Sequence, residues 1–252
     1  KSLLIDRYYS SQLFERREKL MPFTWNYIYK NGKLFGDSLN NSNFSLTNNM
    51  IFSYPGYNEI LIGKADSTIK SNEKIYNKNV TVLEKLNQTN NYKNKIAAFA
   101  SWDVFPYIIN DKRSGIPVNA GYMEELNIKT PVVDYINKNQ KRTPVIWENV
   151  RLDVYTHNLA LEYIKKKKPK LVYIAYGETD DFAHGEKYDF YINSLNYTDN
   201  MIAELWGYVQ SNKFYKDNTY FIITTDHGRG LMEDWAGHGT SKASWLAILG
   251  PN

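Results

Sequence analysis

Two apolar, β-rich runs in this chain each lead into a carboxylate–imidazole cluster, and that pairing limits the fold more than any other feature. Leu171-Val172-Tyr173-Ile174-Ala175-Tyr176 precedes Asp180-Asp181-Phe182-Ala183-His184. Tyr220-Phe221-Ile222-Ile223-Thr224 precedes Asp226-His227-Gly228, and Gly237-His238-Gly239 follows shortly after. Such short apolar runs read as buried strands. Open α/β sheets bind ligands beyond the carboxyl ends of their strands, so both clusters stand where an α/β site belongs. Three of the chain's four histidines fall in them. Mixed Asp and His ligands suit Zn²⁺ or a similar divalent ion better than Ca²⁺ or Mg²⁺, which prefer all-oxygen shells.

The rest of the chain supports an alternation of helices and short strands. Residues 12–31 carry Leu13, Phe14, Leu20, Phe23, Tyr27 and Ile28 at helical spacing. Residues 32–52 are polar and Asn-rich, and read as a long loop. Pro55 to Gly63 reads as a short helix with Pro early and Gly at its end. Val80 to Leu86, residues 130–140, residues 155–166 and Leu195 to Val209 read as further helices. Ile96-Ala97-Ala98-Phe99-Ala100 and Trp245-Leu246-Ala247-Ile248-Leu249 read as strands. The expected fold is α/β, a mostly parallel sheet covered by helices on both faces. No linker divides the chain, so residues 1–252 read as one catalytic domain. The less regular stretch 101–150 reads as a cap beside the site.

Composition narrows the class further. With 252 residues and 42% apolar content, the chain can bury a substantial core. It has no apolar run of the length that spans a bilayer, about 18 residues or more. Zero cysteines remove disulfides and thiolate ligands from consideration. The net charge of +4 owes much to Lys165-Lys166-Lys167-Lys168-Pro169-Lys170. That run reads as the solvated end of a helix, where cations suit the dipole. No aromatic residues interleave it, so no nucleic-acid polymer is expected as a partner.

Each candidate side chain has a plain reading beside the functional one. Asp180 and His184, four apart, meet on one turn of helix and could share an ion, or be a capping Asp and a surface His. Asp181 could be either ligand or cap. Asp226-His227 at a strand end is a poor packing choice and reads as a ligand pair. His238 between two glycines can approach a ligand closely. His157, in a helical stretch, reads as a packing or surface histidine. Ser53 stands just before a Pro-started helix, where orphan amides and the dipole favour an anion such as phosphate. Alone it would be an ordinary N-cap; beside two metal-type clusters it reads as a nucleophile.

Together these patches resemble the alkaline phosphatase superfamily, and within it the type I phosphodiesterase/nucleotide pyrophosphatase branch. That branch has a Thr or Ser nucleophile at a helix start followed by an aromatic residue and Pro, as in Ser53-Tyr54-Pro55. It has an Asp with a His four residues on, as in Asp180 and His184, a strand-end Asp-His-Gly, as in Asp226-His227-Gly228, and a late His, as in His238. Tyr54-Pro55-Gly56-Tyr57-Asn58-Glu59 and Ser101-Trp102-Asp103-Val104-Phe105-Pro106 also resemble a bacterial subgroup of phosphodiesterases or phosphoglyceromutase-like proteins.

The resemblance implies two divalent ions, zinc first and manganese as the alternative. One would take Asp180, His184 and His238, and the other Asp226, His227 and the Ser53 oxygen. It implies a phosphoester hydrolase, most directly a phosphodiesterase, in which Ser53 becomes phosphorylated by a small phosphorylated substrate. An exported location is favoured. A phosphomutase and a non-catalytic fragment holding at most one metal are the alternatives. Sulfatases carry a (Cys/Ser)-x-Pro-x-Arg pattern, and here Tyr57 stands at the Arg position, which disfavours that activity.

Two departures matter. Nucleotide pyrophosphatases have an Asn three residues after the nucleophile; this chain has Gly56 there, and Asn58, two further on, is the candidate substrate ligand. The superfamily's sheet also opens with a strand ending in a metal-binding Asp. Only Leu3-Leu4-Ile5-Asp6 could supply it, and Arg7 follows where Gly is usual. The chain is therefore expected to lack its first strand, and with Gly250-Pro251 near its end, its C-terminal part.

Overall fold

The computed structural model describes residues 2–251. They form two compact units, one from Lys1–Ile51 with Thr179–Asn252 and one from Phe52–Glu178.

The Phe52–Glu178 unit holds the expected parallel sheet. Its strands are β2 (Ile96–Ala100), β3 (Val118–Ala120) and β4 (Leu171–Ala175), in the order β3-β2-β4. Ala98 of β2 aligns with Val118 of β3 and with Tyr173 of β4. Successive side chains of a strand point to opposite faces, and both faces of β2 are covered. Ile96, Ala98 and Ala100 pack with Leu61, Leu83, Phe105 and Ile108. Ala97 and Phe99 pack with Val133, Ile136, Leu159 and Ala160. These partners come from the helices Ser53–Ile62, Val82–Asn87 and Phe105–Ile109 on one side, and Pro131–Asn139 and Asp153–Lys167 on the other. A central parallel strand buried on both faces is apolar throughout, which is why its sequence was readable.

A polar network lies at the carboxyl ends of β2 and β4. Asp153, fully buried, accepts hydrogen bonds from Ser101 Oγ, Gly177 N at 2.7 Å and Glu178 N at 3.0 Å. The Asp153 amide in turn donates to Glu178 Oε1 at 2.7 Å. Arg151, also fully buried, donates to Thr156 Oγ1 at 2.8 Å and Asn119 Oδ1 at 2.6 Å. Asp153 thus caps the start of the helix Glu178–His184, which carries Asp180 and His184.

Burial raises the carboxyl pKa of both Asp153 and Glu178, and the adjacent Asp153 charge raises Glu178 further. A raised pKa means the folded chain keeps a proton that the unfolded chain has already released. The stability this contributes is complete below the ordinary carboxyl value, about 4, and is lost as pH rises toward neutrality. Glu178→Gln keeps the acceptor for Asp153 N and removes the charge. Its melting temperature should exceed the wild type's at pH 8 and match it at pH 5. Equal differences at both pH values would show that Glu178 is not held protonated.

The second unit differs from the expected single parallel sheet. Strands β1 (Lys33–Phe35), β5 (Phe221–Thr224) and β6 (Leu246–Leu249) form an antiparallel sheet ordered β1-β6-β5. Ile28, Trp206, Ala247 and Leu249 form its core, with Phe221, Ile223 and Trp245 packed against them. Trp206 lies on the helix Tyr188–Ser211, which is longer at both ends than the apolar stripe over 195–209 indicated. The same helix carries buried Asp199, which accepts from Phe23 N, Thr24 N and Thr24 Oγ1 at 2.6–2.9 Å. That anchor holds the π-helical turn Thr24–Ile28.

Local details differ from the sequence reading in several places. Residues 12–31 are helical but broken, with Leu13–Leu20 separated from the turn Thr24–Ile28. The expected loop 32–52 contains β1. Ser2–Tyr8 is a helix with Asp6 exposed, so Asp6 does not end a strand. Residues 101–150 contribute β3 and the helices Phe105–Ile109, Asp111–Ser114 and Pro131–Asn139. No helix among the described residues is long and apolar enough to cross a membrane.

Candidate metal centre

All five side chains expected to bind metal belong to one unit, and they converge. Asp180 and His184 face each other across one helical turn, with Asp180 Oδ2 and His184 Nε2 3.3 Å apart. Asp180 Oδ1 lies 3.4 Å from His238 Nε2 and 3.8 Å from His227 Nε2. His184 Nε2 and His238 Nε2 approach to 2.9 Å. Asp226 Oδ2 lies 3.5 Å from His227 Nε2. One ligand atom from each of Asp180, His227 and His238 fits within 4.8 Å of the others, as a metal site requires.

The distances suit a transition-metal ion. Tetrahedral ligands at about 2.0–2.1 Å from zinc stand about 3.3 Å from each other. The Asp180–His184 and Asp180–His238 separations, 3.3 and 3.4 Å, match that edge. Asp180 presents its two oxygens to different imidazoles, so it is the hub of the cluster. His227, assigned by resemblance to a second ion, stands between Asp180 and Asp226 and is within reach of both.

The backbone sets the imidazole tautomers. His238 Nδ1 lies 2.9 Å from the Ile51 carbonyl oxygen, and His227 Nδ1 lies 2.9 Å from the Gly228 carbonyl oxygen. A carbonyl only accepts, so each Nδ1 carries the hydrogen and each Nε2 keeps its lone pair toward the cluster. Burial, followed by the neighbouring His227, His184 and Arg229, pushes the pKa of His238 down to about 4. His238 is therefore a neutral, ligand-ready imidazole at neutral pH. Burial raises the Asp226 carboxyl.

The supporting backbone is tight. Ile51 has φ +55°, an uncommon conformation for a β-branched residue, and its carbonyl is the one that orients His238. Gly228 admits no side chain, because a Cβ there would stand 2.5 Å from the Ala243 carbonyl oxygen. This close approach carries the chain from β5 past His227.

Arg229 also belongs to the site. Its Nη2 pairs with Asp180 Oδ1, and its Nη1 donates to the Ala236 carbonyl oxygen at 3.1 Å. One guanidinium thus ties Asp180 to the segment leading into His238. Burial pushes its pKa down to about 10, so it stays charged at neutral pH. A cation directly after a strand-end Asp-His-Gly was the available signal.

The other expected residues lie in the Phe52–Glu178 unit. Ser53 is the first residue of the helix Ser53–Ile62, with Phe52 as the N-cap, so Ser53 is not itself the cap. Tyr54, 2% exposed, fixes this helix start by donating from its hydroxyl to the Ile75 carbonyl at 2.7 Å. Asn58 is fully buried, and its side-chain oxygen accepts from Asn77 Nδ2 at 3.0 Å and Asn79 Nδ2 at 3.2 Å. It packs the helix and presents no atom at the surface. His157 is likewise a core residue, 1% exposed, with Nδ1 2.9 Å from the Tyr176 hydroxyl.

Fold and cluster together define an alkaline phosphatase-like α/β protein with a candidate metal centre. The sulfatase family matches residues 49–248, and the chain belongs to that family of hydrolytic enzymes. No curated protein sequence matches it. Among solved structures, it is similar to the lipoteichoic acid synthase LtaP from Listeria monocytogenes, with a TM-score of 0.60 and 14% identity over 92% of this chain. It is similar to an alkaline phosphatase superfamily protein from Vibrio parahaemolyticus, with a TM-score of 0.56 and 14% identity over 92% of this chain. It also resembles a variant of the alkaline phosphatase of the Antarctic bacterium TAB5 with Mg bound, with a TM-score of 0.53 and 13% identity over 92% of this chain and 87% of that one. The chain spans 60% of the Listeria protein and 55% of the Vibrio protein. At such identities these likenesses show the fold alone.

Proposed function

We propose that this chain is a metal-dependent phosphoester hydrolase of the type I phosphodiesterase kind, acting on small phosphodiesters with Ser53 as the nucleophile. The observation that carries this reading is the convergence of three imidazoles on Asp180, with the Nε2 atoms of His184, His227 and His238 at 3.3–3.8 Å from its carboxylate oxygens. The backbone carbonyls that hold both Nδ1 atoms and leave both Nε2 atoms to a ligand support it. Asp180, His184 and His238 would hold one divalent ion, and Asp226 and His227 would hold a second. Zinc fits this donor set best. A bound ion supplies Lewis acidity toward phosphoryl oxygens. Ser53 Oγ would give up its proton and form the bond to phosphorus as one ester oxygen leaves and takes up a proton; water would then hydrolyse the seryl phosphodiester, regenerating the serine and releasing the phosphomonoester. A mutase would instead return the phosphoryl group to an acceptor alcohol.

A sulfate ester hydrolase is the second reading, favoured by the matched family. Tyr57 at the position of the sulfatase Arg weighs against it. The test loads the chain with zinc or manganese, counts ions per chain by mass spectrometry, and compares bis-p-nitrophenyl phosphate, p-nitrophenyl phosphate and p-nitrophenyl sulfate. We expect two ions and fastest cleavage of the diester. Fastest cleavage of the sulfate would establish the second reading, and a metal-free, inactive chain would leave only a binding role.

A further inference from the structure

Beside the metal cluster, in the same unit, lies a cavity of about 380 Å³ lined by Tyr188, Tyr191, Arg229, Gly230, Trp235 and the exposed Leu231–Met232 pair. We infer that this cavity receives a flat aromatic group carried by the substrate, so that aryl esters are preferred to esters of small aliphatic alcohols. The inference names a substrate class for the hydrolase proposed above and rests on that reading for the anionic end of the ligand.

The walls are aromatic and already arranged as aromatic rings arrange themselves. Tyr188 meets Trp235 edge-on, with centroids 5.2 Å apart and planes at 89°. Tyr191 lies 5.9 Å from Trp235, tilted by 40°. Tyr188 and Tyr191 are 6.3 Å apart. A further ring can join such a set by edge or by offset face. Ligand pockets of this size are typically apolar, with a few placed polar groups. Here Arg229 is the charged side chain of the lining, and its guanidinium is the group paired with Asp180. The aromatic end of the cavity and the metal cluster therefore share one residue. An anionic ester at the cluster would place its alcohol portion toward the rings.

The segment that carries Trp235 is held for this task. Gly230 N donates to the Gly237 carbonyl oxygen at 2.9 Å, closing the loop at its base. A Cβ on Gly230 would meet the Asp234 carbonyl oxygen at 2.0 Å, so only glycine fits. Met232 is held at φ +52° and is 89% exposed, with Leu231 77% exposed. A loop that keeps unusual backbone and apolar side chains in solvent beside a cavity is what a ligand would cover.

Other ligand classes fit less well. A quaternary ammonium group would be repelled by Arg229. A sugar would need hydrogen-bond partners for most of its hydroxyls, and the lining side chains offer Arg229, the Trp235 indole N–H and two phenols. A long acyl chain would need a deeper channel than this open cavity.

The test uses phenylphosphonate and methylphosphonate as probes, titrated calorimetrically into the zinc-loaded chain. Wild type should bind the phenyl probe about tenfold or more tightly than the methyl one, the scale of a buried ring with aromatic partners. Trp235→Ala should erase that ratio and leave methylphosphonate binding unchanged. Tyr188→Ala, at an exposed position that tolerates truncation, should lower the ratio in the same direction. A wild-type ratio near one, or a ratio unmoved by both variants, would overturn the inference. Phenyl preference in a chain that cleaves no ester would retain the cavity and remove the hydrolase reading. Ester cleavage without phenyl preference would do the reverse.

Discussion

Ser53→Ala should lower phosphodiester turnover by about 10³-fold or more, because the covalent route loses its nucleophile and leaves only binding and electrostatics. Ser53 begins the helix Ser53–Ile62, whose start is anchored elsewhere, by Tyr54 N donating to Asn72 Oδ1 at 2.9 Å and by the Tyr54 hydroxyl. The Tyr54 bonds remain in the alanine variant, which should therefore fold. The site built from Asp180, His184 and His238 takes no atom from Ser53, so at least one ion should remain bound. The decisive measurement is a rapid-quench trap with a labelled phosphoester. Wild type should acquire acid-stable label at Ser53, and the variant none. Near-wild-type turnover in the variant would exclude a phosphoseryl intermediate.

How far the sequence announced this architecture depended on how much each element buries. Strands β2, β4, β5 and β6 were legible because each holds an unbroken apolar run of three to five residues. Strands β1 and β3, Lys33-Leu34-Phe35 and Val118-Asn119-Ala120, are three residues long. At that length neither alternation nor continuity can emerge, and tertiary pairing decides the conformation. The antiparallel sheet was invisible for the same reason, since β1 supplies one of its two edges. The helix Tyr188–Ser211 was read short because its first turn carries aromatic and polar residues in place of an aliphatic stripe.

The candidate site was legible through its side chains and illegible through its backbone. Asp180, His184, Asp226, His227 and His238 stood out because carboxylates and imidazoles directly after apolar strand runs have little packing value. The Ile51 carbonyl, which orients His238, has no sequence signature at all. Arg229 was missed because a charged residue in a loop reads as solvated surface unless its partner is known. Asn58 drew attention by its offset from Ser53, yet its carboxamide is buried against Asn77 and Asn79. Buried asparagine networks of this kind depend on chain crossings that local spacing does not encode.

Asp180→Asn is the substitution expected to damage the metal centre most. Asp180 is the residue on which the cluster is centred, with its carboxylate within 3.3–3.8 Å of three imidazoles and paired with Arg229. Asparagine keeps the shape and one oxygen but removes the negative charge that offsets an ion's charge. It also leaves the Arg229 guanidinium, whose side chain is only 17% exposed, beside the ligand atoms without its anion. Both changes oppose cation binding. Losing even an outer hydrogen-bond partner of a ligand costs about 10–100-fold in metal affinity, so losing this carboxylate should cost about 100-fold or more. A ligand that binds only the folded state raises stability by an amount set by its concentration over its dissociation constant, about 2.7 kcal/mol at a hundredfold excess. Zinc should therefore raise the melting temperature of the wild type by several degrees and that of Asp180→Asn hardly at all. The metal-free melting temperatures should differ little, because Asp180 is a third exposed and a partly solvated ion pair contributes about 1 kcal/mol or less. Arg229→Gln separates the two effects, since it removes the competing cation while keeping the carboxylate, and it should bind zinc at least as tightly as wild type. If Asp180→Asn retains the full zinc-induced shift, the ion is held elsewhere and the assignment of this cluster fails.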